Sequence, residues 1–192
     1  MKDLLATSIK YQQGTLYVLD QHQLPHCENW LPCHSADDMI AMIQKLQIRG
    51  APLIGIGASL LLADLAEKGA DVDQLRNDAE RLRAARPTAV NLMNCIDRML
   101  IALDTDGPLG LSACAEQLFE EDVELCARMA KLGADLIPDG ANILTHCNTG
   151  SLATAGVGTA IGVISAVKEQ GKQLHVWVDE TRPRNQGARL TA

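Results

Sequence analysis

The stretch THCNTGSLATAG, residues 145–156, follows the apolar run ANIL with a histidine, a thiol, an amide and several hydroxyls. A loop that only turns a corner needs Gly, Asn or Ser. It has no need of Cys147. At the carboxyl end of a strand and ahead of a helix, a cysteine sits where open α/β folds gather their ligands. Helix N-terminal amides favour a thiolate and donate to phosphate oxygens. The competing reading is a buried structural thiol, because free Cys is among the most buried residue types. Asn148, Thr149, Ser151 and Thr154 tip the balance toward a site, since a structural thiol does not require them.

Arginines are the second group with chemical potential. Arg49 precedes Gly50 between two helices, Arg86 precedes Pro87 at a helix entrance, and Arg182, Arg184 and Arg189 crowd ETRPRNQGARL. Singly, an arginine at an element end is solvated or caps carbonyls. Several aimed at one crevice would clamp a phosphate. Two other patterns are weaker. His22, His26, Cys27, Cys33 and His34 match no familiar zinc spacing. The glycines of GVGTAIG (156–162) suggest a dinucleotide loop, with Asp179 or Glu180 for a ribose, but that motif begins directly after its strand. Gly156 lies ten residues beyond His146, within an expected helix, and close helix packing explains it better.

These residues need elements to hold them. LLATSIKYQ and TLYVLDQ flank Gln13–Gly14 as a hairpin. Prolines 25 and 32 suggest a loop covering it. Ser35 caps a helix over ADDMIAMIQKLQ, with Asp38 three residues on. Pro52 suits the first turn of the next helix and Gly69 its end. Further helices are expected at 72–84, 89–103 and 112–132, with DTDGPLG (104–110) as a loop. After PDG (138–140) the pattern becomes strand (ANILTH), helix (LATAGVGTAIGVISAVKEQ, closed by Gly171) and strand (LHVWVDE). That βαβ order implies a parallel sheet. The expected fold is therefore α/β, with a mainly helical domain bearing a β-hairpin over 1–135 and the first part of a Rossmann-like domain over 136–192. GARLTA reads as the opening of another helix. Two parallel strands with one crossover do not make a stable sheet alone, so the chain reads as a fragment of a larger α/β domain.

Composition narrows the function. With 24 acidic and 17 basic residues among 192, the net charge is −7. A nucleic-acid surface needs clustered Lys and Arg in excess, so no nucleic-acid partner is expected. The N-terminus has no signal-peptide h-region, and APLIGIGASLLLA (51–63) is too short to span a bilayer. No membrane partner is expected. Six cysteines without paired spacing read as reduced cytoplasmic thiols.

Four stretches together, IRGAPLIGIGA (48–58), RPTAVNL (86–92), THCNTGSLATAGVGTA (145–160) and ETRPRNQGARLTA (180–192), resemble the methylthioribose-1-phosphate isomerase family of methionine salvage. The first and third have looser counterparts in ribose-1,5-bisphosphate isomerases and in regulatory subunits of a translation-initiation nucleotide-exchange factor. The resemblance implies conversion of a sugar-phosphate aldose to a ketose, with no cofactor and no metal, by a homodimer. It implies substrate binding by Arg49, Gly50, Ala51, Arg86 and Gln186, and catalysis by Cys147 with an aspartate expected beyond Ala192. The chemistry calls for a base and an acid whose pKa values are pushed apart.

Overall fold

The computed structural model describes residues 1–192. Four short strands, β1 (Leu4–Leu5), β2 (Ile9–Gln12), β3 (Thr15–Leu19) and β4 (Trp30–Cys33), form an antiparallel sheet in sequence order. The expected hairpin joins β2 to β3 in the register Ile9↔Val18 and Tyr11↔Leu16. Gln13 and Gly14 both have positive φ, 52° and 72°, which matches the right-handed twist of the flanking strands. The expected loop over the hairpin is in part a strand, because Leu16↔Cys33 and Leu19↔Trp30 pair β3 with β4. Pro32 does not break this strand, where it pairs with Tyr17. Its missing N–H is harmless on an edge strand, and β4 lies at the edge.

Six helices follow: α1 (Ala36–Gln44), α2 (Ala51–Glu67), α3 (Val72–Ala84), α4 (Val90–Asp106), α5 (Gly110–Asp135) and α6 (Ala160–Glu169). Ser35 caps α1 by accepting from Asp38 N at 3.1 Å, and the Asp38 carboxylate accepts from His34 N at 3.0 Å. Helix α2 is buried on every side from Leu53 to Asp64. It forms the axis of a 32-residue hydrophobic core shared with the hairpin, α1, α3, α4 and α5. Helices α4 and α5 each run past the expected ends, so the loop between them shrinks to Gly107–Leu109. Core packing extended both helices beyond what local turn signals indicated.

Strands β5 (Ala141–Thr145) and β6 (Leu174–Val178) pair in parallel, Ala141↔Leu174 through Thr145↔Val178, with α6 as the crossover. The helix expected over 152–170 is shorter: residues 150–159 form a compact loop and only 160–169 are helical. Gly156 therefore lies outside the helix, which corrects the expectation. A Cβ there would lie 2.7 Å from Cys126 Cβ, so the close packing is of a loop onto α5. Lys172 ties this unit to the body by donating to the carbonyls of Ala134 (2.9 Å) and Ile137 (2.8 Å) at the end of α5. Residues Gly187–Thr191 form a single wide π-helical turn rather than the start of an α-helix.

Candidate functional site

The residues singled out by type and context share one cavity. Arg49, Gly50 and Ala51 at the start of α2, Arg86 ahead of α4, Cys147 behind β5 and Gln186 before the last turn all line a hollow of about 450 Å³. Thr88, Ala89, Asn148, Thr149, Ala153, Thr154 and Thr159 extend its wall; Ser151 does not reach it. A smaller hollow of about 210 Å³ between α2, α4 and α5 contains neither Cys147 nor Arg49.

The N-terminal ends of α2, α4 and α6 open onto the large cavity through Ala51, Ala89 and Thr159, and none carries a side-chain cap. Each helix start presents amides that lack intrahelical acceptors and the positive end of its dipole. At α2 only Ala51 N is left, because Pro52 has no N–H and Leu53 N bonds Ala153 O at 3.3 Å. With two arginines in the same wall and no carboxylate, the cavity is built for an anion. This revises one expectation: the helix after Cys147 begins thirteen residues later, at Ala160. Arg49 shares the cavity wall with the sulfur.

Arg49 bears directly on that thiol. Burial lowers the Arg49 pKa, the adjacent Cys147 sulfur raises it, and the charges of Arg189 and Arg86 lower it again. Its Nε and Nη2 are enclosed with no hydrogen-bond partner. Buried guanidinium donors left open in this way favour an anion beside them. Cys147 has φ 64°, a left-handed conformation for a residue with a side chain. Such strain, about 1–3 kcal/mol, persists only where the surroundings hold it.

The loop from Thr149 to Thr159 is tethered on all sides. Gln21 Nε2 and Ser8 Oγ donate to Leu152 O at 2.8 and 3.4 Å. Thr159 N donates to Thr149 O at 2.8 Å, and Ala155 N donates to Asp122 Oδ2 at 2.7 Å. Gly50 (φ 94°) accepts this loop at contact distance, since a Cβ there would lie 2.4 Å from Ala153 O. Only glycine fits both the backbone and the space. Asn148, 6% exposed, donates to Leu190 O at 3.2 Å while its Oδ1 has no partner.

Gln186 is held by its own loop. Its N–H donates to Thr181 Oγ1 at 3.3 Å, and the Thr181 hydroxyl bonds its side-chain oxygen. The Glu180 carboxylate collects the N–H groups of Thr181 (2.8 Å), Gly187 (2.9 Å) and Ala188 (3.2 Å). None of the three arginines of this segment lines the large cavity, though Arg184 and Arg189 line a small hollow together with Arg49 and Gln186. Arg182 and Arg184 are exposed, and Arg189 donates to the carbonyls of Gln21, His22 and Leu24. Among the histidines and cysteines near the hairpin, no three potential metal ligands lie together. Thr88, Thr159 and Asp122 were missed by the sequence reading. Thr159 stands at a helix start that the overlong expected helix concealed, and Asp122 has no local signal at all.

Residues 47–192 match the model of the Initiation factor 2 subunit family. The chain is 54% identical over 193 residues to a methylthioribose-1-phosphate isomerase of Cronobacter sakazakii, covering all of this chain and 57% of that protein. It resembles the crystal structure of 5-methylthioribose 1-phosphate isomerase from Pyrococcus horikoshii, with TM-score 0.89 and 34% identity, over 97% of this chain and 56% of that one. It also resembles the translation initiation factor eIF-2B subunit delta from A. fulgidus, with TM-score 0.81 and 39% identity, over 97% of this chain and 58% of that one. The chain thus spans a little over half the length of the relatives it matches.

Proposed function

The chain belongs to the Initiation factor 2 subunit family, and on that premise we propose that it carries the phosphate-binding and thiol side of a methylthioribose-1-phosphate isomerase site. The reaction converts 5-methylthioribose 1-phosphate to 5-methylthioribulose 1-phosphate. The observation that carries the reading is the one cavity whose wall brings together Arg49, Arg86, Cys147, Gln186 and three helix starts without side-chain caps.

The phosphate sits on the anomeric carbon, so the sugar has no free aldehyde to isomerise. A proton leaves C2, the bond from C1 to the ring oxygen breaks, and an acid protonates that oxygen. The resulting enol takes a proton at C1 and loses its hydroxyl proton, leaving a ketone at C2. We assign the C2 proton to Cys147, which carries the one thiol in the cavity wall. Arg49, Gly50, Ala51 and Arg86 hold the phosphate and Gln186 the sugar, so that binding fixes the reacting carbon against the sulfur. No carboxylate lines the cavity among residues 1–192. The acid is the aspartate that the family resemblance implies, outside this wall. The setting is methionine salvage in the cytoplasm, by a homodimer.

The likeness to an initiation-factor subunit supports a second reading, a regulatory binding subunit without turnover. One experiment separates the two. The full-length protein is given substrate deuterated at C2, and loss of label to solvent is followed for the unmodified protein and for Cys147→Ala. Isomerisation with washout in the first and not the second supports the proposal. No turnover by the unmodified protein supports the binding reading, and normal turnover by the variant removes the thiol from the mechanism.

A further inference from the structure

Asp122 lies on α5, outside the cavity, in the wall of the smaller hollow beside it. Its Oδ2 accepts from Ala155 N at 2.7 Å. Gly156 rests directly on Cys126 of the same helix. Two residues back along the loop, Ala153 gives its carbonyl to Leu53 N at 3.3 Å and packs against Gly50. One carboxylate is thus linked through Ala155, Ala153 and Gly50 to Arg49. Of the side chains that tether the Thr149–Thr159 loop, Asp122 is the one that carries a charge.

We propose that Asp122 is a positioning residue that, through the Thr149–Thr159 loop, holds the start of α2 and its Arg49 in the geometry that receives the sugar phosphate. This rests on the isomerase reading above. The carboxylate acts on the substrate only through backbone, and it sets the depth of the cavity rather than touching its contents. Burial raises its pKa, opposed by the amides of Ala155 and Gly156. A carboxylate shifted in that direction contributes most to stability when protonated, below its unfolded value, and loses that contribution as pH rises through the folded one.

The test uses the full-length protein with Asp122→Ala, Asp122→Glu and Asp122→Asn. Two readouts are taken: isomerase kcat and KM, and protection of Cys147 from iodoacetamide by inorganic phosphate. The alanine variant removes the acceptor and the glutamate displaces it by one methylene. Both are expected to raise KM, and the phosphate concentration needed for protection, by about tenfold. Asparagine keeps an acceptor oxygen and is expected to restore both to within about threefold. A purely structural role would lower the melting temperature and leave the phosphate requirement unchanged. If alanine prevents folding, the glutamate variant decides. Unchanged KM and unchanged phosphate protection in Asp122→Glu overturn the inference. An unmodified protein that binds phosphate without isomerising anything overturns the isomerase reading instead, and the phosphate readout then still judges Asp122.

Discussion

Helix α2 and the loop that leans on its first turn are built on opposite principles. From Leu53 to Asp64 the helix is surrounded by hydrocarbon, and its position follows from burial. The Thr149–Thr159 loop buries only the small apolar side chains of Ala153 and Ala155 and is held by hydrogen bonds: Ser8, Gln21 and Leu53 donate to its carbonyls, and Asp122 accepts from Ala155 N. Behind it the β5–β6 sheet leaves Leu144 66% and Trp177 58% exposed on one face. The stable region supplies Arg49 on a rigid base. The hydrogen-bonded region supplies Cys147 and the polar wall. A site that grips an anion needs both: a fixed donor, and amides not consumed by packing.

The contrast predicts that damage to the two regions separates activity from stability. The largest effect is expected for Cys147→Ala in the full-length protein, a loss of about 10²–10⁴-fold in kcat/KM, measured by steady-state assay with the melting temperature nearly unchanged. In the other region, Leu61→Ala removes a fully buried side chain of α2. Denaturant unfolding should show a loss of about 2–5 kcal/mol, with KM of the folded fraction unaltered. Next is Gly55→Ala, which pushes a methyl to 2.7 Å from Cys95 Sγ and 2.9 Å from Asn91 O. Overpacking of α2 against α4 there should cost about 1–3 kcal/mol. A neutral result would mean that the helices separate more easily than the core implies.

The smallest expected effect concerns acid. Burial raises the Glu67 carboxyl, but the chain's amino terminus, Ser112 and Tyr11 outweigh it, leaving the pKa below its ordinary 4.5. A depressed carboxyl contributes stability above that value and loses it as pH falls through the folded pKa. Glu67→Gln should therefore lower the melting temperature at pH 7 and make little difference well below pH 4. An equal deficit at both pH values would show that the ion pair is not its origin.

Much of this was legible in the linear chain. Gln13–Gly14, Ser35, Pro52, Gly69 and Gly171 mark element ends through local backbone chemistry, and the structure puts ends there. The errors share a cause. Strand β4 was hidden because Pro32 excludes a strand interior but not an edge. The helix after Cys147 was drawn too long because an alanine- and glycine-rich run has helical spacing whether or not it is helical. Its true start depends on Gly156 fitting against Cys126 and on Gly158 (φ 95°) crossing Gly150.

Residue types and their places at element ends were determined by the sequence alone: a thiol behind a strand, arginines before helices, a glutamine in a turn. These follow from periodicity and capping, which act over a few residues. That Arg49, Arg86, Cys147 and Gln186 face one another was decided only by the tertiary structure. Their convergence depends on how α2 packs against α4 and α5, and on which loop amides find acceptors across the fold. Such long-range contacts are selected by shape and hydrogen-bond satisfaction among distant residues, and no local spacing encodes them.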